Sequence, residues 1–147
     1  MSYAQEEKIL NVAIASEPPS IDPALGNENI SGAVIRNTFE RLTWLDTEGV
    51  PQPAAAESWE ASEDGLTYTF HLREGSQWTN GKPVTAHDFE YSWKRTLNPE
   101  TLSQSAALFY IIEGAEEYNV GDGSAEDVGV TALDDYTLEV TLINPAP

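Results

Sequence analysis

The chain has 147 residues, enough for one domain with a real core, and carries 25 Asp and Glu against 7 Lys and Arg, a formal net charge of −18. That balance excludes a nucleic-acid partner, which needs a basic face. The absence of cysteine excludes a disulfide, a thiolate nucleophile and a thiolate metal site. Apolar residues at 40% fit a folded chain, and no apolar run approaches the ~18 residues of a membrane helix. The acidity reads most simply as a solvated, self-repelling surface. A salty habitat or cationic ligands would account for it too.

Taken in chain order, Met1 to Gln5 lack the basic start and apolar core of a signal peptide, so an exported protein is expected to be represented here by a trimmed chain. Leu10 to Ala15 alternate, with Leu10, Val12 and Ile14 on one face, and predict a strand. Pro18, Pro19 and Pro23 forbid regular structure over 17–23. A helical pattern then starts near Ser31, with Ile35, Phe39 and Leu42 on one face and Asn29 or Ser31 as the cap. A turn over Thr47 to Pro51 ends it.

Trp59 to Ala61 and Leu66 to Arg73 flank Ser62-Glu63-Asp64-Gly65, a hairpin signature with Gly where φ must be positive. Leu66, Tyr68, Phe70 and Leu72 share the apolar face; Thr67, Thr69, His71 and Arg73 share the wetter one. Asn80-Gly81 predicts a further turn, and Thr85 with Asp88 a capping box. The spacing of Phe89, Trp93 and Leu97 predicts a helix over 86–97, stopped by Asn98-Pro99. A third helix is predicted over about 105–118, with Leu108, Ile111, Ile112 and Ala115 inward. After the flexible loop 121–124, Val128 to Ala132 and Tyr136 to Leu142 form a closing hairpin around Leu133-Asp134-Asp135. The class is α/β in the loose sense: a mixed sheet with hairpins and about three helices.

Chemistry-bearing patterns are sparse. His71 sits on a strand's polar face and His87 in a helix's first turn, with no third ligand spaced for zinc. Asp122, Glu126 and Asp127 lie near glycines without the spacing of a calcium loop. There is no nucleophile elbow, phosphate loop or dinucleotide fingerprint. Trp59, Tyr68, Phe70, Phe89 and Trp93 read as core, whereas Trp78 either packs beneath its loop or meets a ligand. Neither a metal, a cofactor nor a catalytic residue is expected.

Three runs carry a resemblance. They are Ser16-Glu17-Pro18-Pro19-Ser20-Ile21-Asp22-Pro23; the stretch from Ala56 to Arg95 containing Asp64-Gly65-Leu66-Thr67-Tyr68-Thr69-Phe70-His71-Leu72-Arg73 and Asn80-Gly81-Lys82-Pro83-Val84-Thr85-Ala86-His87-Asp88-Phe89; and Ala132-Leu133-Asp134-Asp135-Tyr136-Thr137-Leu138-Glu139-Val140. Together they resemble the bacterial extracellular solute-binding proteins of the peptide class, family 5. The resemblance implies a periplasmic-binding-protein-like fold of type II. Family members are about three times as long and have two lobes that close on the ligand. On that pattern 1–42 is the first strand and helix of lobe one, 43–147 is its small subdomain, and the second lobe is absent from this chain.

The implied function is the substrate-binding component of an ABC importer, binding oligopeptides. The implied partner is a membrane permease, and the implied location is extracellular or periplasmic, with lipid anchoring of a monomer. Other solutes of the same superfamily (nickel, haem or a dipeptide) and a small acidic enzyme are the alternatives. Ligand main chain is bound in this family by extended segments. The resemblance places such segments at Asn27, Glu28 and Asn29, and more weakly around Ser105. An ordinary cap loop is the plain alternative for Asn27 to Asn29.

Overall fold

Alternating apolar residues must hide one face of a strand, and here two hairpins hide theirs side by side. The structure is a computed structural model and describes residues 11–146. Strands β3 (Ala56–Ala61) and β4 (Thr67–Leu72) form one hairpin; β5 (Val130–Ala132) and β6 (Thr137–Thr141) form the other. They join as an antiparallel sheet in the order β3-β4-β6-β5. Its register sets Trp59, Phe70, Leu138 and Ala132 in one row and Ala61, Tyr68, Val140 and Val130 in the next. Cross-strand neighbours of this kind stabilise a sheet pair by pair. The Phe70 ring lies 6.4 Å from Trp59 and 6.3 Å from Tyr68. Gly65 takes φ +70° in the first hairpin's turn, as its sequence requires.

Helix α2 (Ala86–Leu97) covers the apolar face. Ala86, Leu97, Leu138 and Val130 are fully buried, with Phe89 and Trp93 packed beside them. The expected capping box starts the helix: the Thr85 N–H donates to the Asp88 carboxylate at 2.8 Å. Polar pins fix its position along the sheet. The Ala86 N–H donates to the Asp135 carbonyl at 2.8 Å. Glu90 accepts the Ala132 N–H at 3.0 Å and the Lys94 ammonium at 2.7 Å. Burial pushes the Glu90 carboxyl up, but Lys94 and the Ala132 N–H bring it net below its ordinary range.

A two-stranded ribbon, β1 (Thr43–Leu45) with β2 (Pro51–Pro53), lies outside this layer. Asp46 closes it by accepting the N–H groups of Glu48 and Val50, each at 2.9 Å. Neither strand has a strong sequence signal, because Pro51 and Pro53 cannot donate to a ladder.

Three expectations need correction. Leu10 lies outside the described residues, and Asn11 to Ala15 form no strand and pair with none of the described strands, leaving Val12 72% exposed. Helix α1 spans Asn29–Thr38 with Glu28 at its N-cap, and neither Asn29 nor Ser31 caps it by its side chain. It ends before Phe39, and Leu42 is buried from beyond it. The long helix over 105–118 is instead a 3-10 turn at Ala106–Phe109 and a short α3 (Ala115–Val120). Ile112 and Ala115 point inward as expected, but Leu108 is 79% and Ile111 44% exposed. The break is at Gly114, which takes φ +68°. It passes so close to the backbone at Asp127 that a side chain there would collide with the carbonyl.

Two substitutions test this packing by urea unfolding. Gly114→Ala meets both the backbone penalty and the Asp127 carbonyl, and is expected to cost about 2 kcal/mol or more. Leu138→Ala, at the sheet's fully buried centre, is expected to cost about 2–5 kcal/mol.

Candidate functional site

The proline-rich entry ends in a tight turn built around Asp22. Its carbonyl accepts the N–H groups of Leu25 and Gly26 at 3.0 and 2.8 Å, and its carboxylate accepts the Ala24 N–H at 3.0 Å. The same carboxylate takes both arms of the Arg95 guanidinium, at 2.8 and 2.6 Å. This is a bidentate pair between the turn and helix α2. The Arg95 hydrogen bond holds the Asp22 carboxyl below the usual range, against a smaller upward push from burial.

The turn then packs onto α1. A Cβ at Gly26 would lie 2.6 Å from the Ile35 side chain and 3.0 Å from that of Ser31, so only glycine permits the approach. Ser31 is buried, and its hydroxyl has no partner among the described residues. Asn27, Glu28 and Asn29 follow and are exposed. Among the described residues, their three backbone N–H groups donate to no protein acceptor. That is the ordinary condition of a helix's first turn, and no side chain relieves it here.

The second sequence candidate comes to the same place. Asn98 ends α2, and its side chain accepts the Glu100 N–H at 2.8 Å. Leu102 turns the chain with φ 55°, leading into Ser103. The Ser103 hydroxyl donates to the Ala24 carbonyl and accepts the Ser105 N–H at 3.2 Å. Beside it the Asn27 amide donates to the Gln104 side chain. The structure thus brings Asn27 next to the loop holding Ser105, although 77 residues separate Asn27 from Gln104. Ser105 opens the 3-10 turn and makes no side-chain cap bond.

Sequence reasoning missed Asp22, Arg95, Ser103 and Gln104 as parts of this corner. Asp22 and Arg95 stand inside the motifs quoted above, but nothing in a linear pattern pairs them. Gln104 offers no signal at all.

Other concavities carry less chemistry. His71 and His87 are exposed, 3.2 Å from Glu60 and 3.6 Å from Asp135. Among the described residues no three His, Asp or Glu side chains gather to hold a metal ion. An apolar groove of about 380 Å³ lies between Phe70, Trp93, Leu108 and Leu142. Trp78 packs edge-on to Phe39, ring centres 6.5 Å apart, and its indole N–H points to Asp88 at 3.4 Å. Trp78 nevertheless stays 40% exposed. Among the described residues no helix is long and apolar enough to cross a membrane.

Comparison with known proteins agrees with the motif resemblance. Residues 50–147 match the family model described as bacterial extracellular solute-binding proteins, family 5 middle. The chain is 53% identical to the dipeptide-binding protein DppE of Bacillus subtilis over 95% of its length, and 51% identical to that organism's oligopeptide-binding protein OppA over 94%. It is 42% identical, over 90%, to the probable deoxycholate-binding periplasmic protein YgiS of Escherichia coli. It spans about a quarter of the length of these curated relatives, 26% of DppE and 25% of OppA. Listeria monocytogenes OppA bound to peptide superposes with TM-score 0.89 at 38% identity, over 97% of this chain and 28% of that one. The substrate-binding domain of a Bacillus anthracis oligopeptide ABC transporter superposes with TM-score 0.86 at 43% identity, over 89% and 25%. The fold is therefore of the periplasmic-binding-protein type II class.

The Asp22–Arg95 pair generates a pH prediction. The folded pKa of Asp22 lies below its unfolded value, so the pair stabilises the fold above the unfolded pKa of about 3.9 and is lost as pH falls through the folded one. After discounting for solvent around these partly exposed groups, Asp22→Asn is expected to cost about 1 kcal/mol at pH 7. The gap from wild type should close as pH falls below about 4. Urea midpoints at pH 7, 5 and 3 check it.

Proposed function

Because this chain belongs to the bacterial extracellular solute-binding proteins of family 5, we propose that it forms part of lobe one of a two-lobed peptide-binding protein serving an ABC importer. Residues 1–42 supply the lobe's first segment and 43–147 its small subdomain. The ligand is an oligopeptide or a shorter peptide, and the site includes Asn27, Glu28, Asn29 and Ser105. The protein works outside the cytoplasmic membrane and hands its ligand to a membrane permease. No bond is made or broken in the ligand.

One observation carries this reading. The exposed corner offers main-chain donors at Asn27 to Asn29 that have no acceptor among the described residues, beside a loop of hydroxyl and amide side chains. An extended peptide carries a carbonyl at every residue whatever its side chains, so such a surface grips many sequences. The side chains around it are neutral apart from Glu28 and leave room for varied ligands with bridging water. Support also comes from relatives named for dipeptide and oligopeptide binding, and from the peptide-bound Listeria protein. In the whole protein, capture is a hinge closure of the second lobe over this wall.

A relative named for probable deoxycholate binding shares this portion of sequence, so the bile acid belongs in the test. Titration calorimetry on a polypeptide carrying both lobes is expected to show tetra-alanine binding and no deoxycholate binding. The 147-residue chain alone offers one wall of the cleft and is expected to give no measurable heat with tetra-alanine. Micromolar affinity of the short chain, or preference of the two-lobed protein for deoxycholate, overturns the reading.

A further inference from the structure

The Asn27–Gln104 contact does more than join two segments. Both side chains are exposed, and among the described residues neither has another side-chain hydrogen bond. An amide carries one acceptor oxygen and two N–H donors. An amide oxygen has two lone pairs, so when Asn27 donates one N–H to the Gln104 oxygen, Gln104 keeps both of its own N–H donors and one lone pair, enough to face the C=O and N–H of one peptide group. What remains is the hydrogen-bonding pattern of a peptide group, offered by side chains beside the main-chain donors of Asn27 to Asn29 that have no acceptor among the described residues.

Resting on the function proposed above, we infer that Gln104 is a specificity-determining residue: its amide, held by Asn27, pairs with one peptide group of the ligand main chain. The exposed loop alone would leave a glutamine free to sample its rotamers, and ordering it on binding would weaken affinity. Holding by Asn27 removes that cost beforehand. Ser103 supports the arrangement from below by fixing its loop to the Ala24 carbonyl. The pair is neutral, so it discriminates a peptide group from an ester or a bare hydrocarbon and is indifferent to side-chain charge.

The test uses the two-lobed protein, tetra-alanine, and a set of tetra-alanine analogues in which each internal amide is replaced in turn by an ester, which lacks the N–H. Calorimetry is expected to show about tenfold weaker tetra-alanine binding for Gln104→Ala, the size of one or two exposed hydrogen bonds. Asn27→Ala combined with Gln104→Ala should cost little more than Gln104→Ala alone, because the two act as a unit. One ester analogue should be penalised several-fold by the unsubstituted protein and not by Gln104→Ala. Melting temperatures should stay level, since both side chains are exposed. Unchanged affinity in Gln104→Ala, or an ester penalty equal in both proteins, overturns this inference and leaves the proposed function standing. Failure of the unsubstituted protein to bind any peptide overturns both.

Discussion

A sheet with one apolar face is stable only when that face is covered, and in this chain α2 is the cover. Ala86 and Leu97 stand at the helix's two ends and are both fully buried against the sheet's central residues. Area burial alone would let a helix slide, because apolar contact has no direction. The hydrogen bonds at the ends remove that freedom. The Asp135 carbonyl takes the N–H of Ala86, and Glu90 takes the N–H of Ala132 at the edge strand β5. Glu90 can stay ionised there because Lys94 stands one turn away.

Once α2 is fixed, the corner at Asn27 and Gln104 follows from it. Arg95 leaves the last turn of the helix and holds Asp22, which organises the turn through Gly26. That turn delivers Asn27. Three residues after Arg95 the helix stops at Asn98-Pro99, and the chain bends at Leu102 to deliver Ser103, Gln104 and Ser105. Both legs of the corner thus hang from the C-terminal end of one helix, although they are far apart in sequence. A displacement of α2 would therefore move them together.

What could be read from the sequence divides along the same lines. The two sheet hairpins, the capping box at Thr85 and both ends of α2 were legible, since each rests on local chemistry: Gly65 at a positive φ, alternation along Leu66 to Leu72, and Pro99 forbidding helix. The break before α3 was not, because the apolar spacing of Leu108, Ile111 and Ile112 fits a helix. What cancels it is the close passage of Gly114 past Asp127, a contact with no local trace. The β1–β2 ribbon was hidden for the opposite reason: Pro51 and Pro53 argue against a strand, and Asp46 overrides them by holding the loop. At the site, Asn27 and Ser105 came from motif resemblance. Their meeting through Gln104 depends on the end of α2, which no sequence window spans.

The charge distribution completes the argument. Arg73, Lys94 and Arg95, three of the chain's seven Lys and Arg, are paired with Glu40, Glu90 and Asp22. The remaining acidic excess is spread over the surface and sets up a negative field that draws cationic solutes, weakening over a Debye length of about 8 Å at physiological salt. The corner at Ala24 to Asn29 and Ser103 to Ser105 is built mostly of neutral groups, with Glu28 its one charge. Charge in this protein therefore acts mostly at long range and away from the corner. The corner itself is held by hydrogen bonds between neutral groups. Arg95, which anchors the corner, is committed with both arms of its guanidinium to Asp22 and adds no free positive charge there.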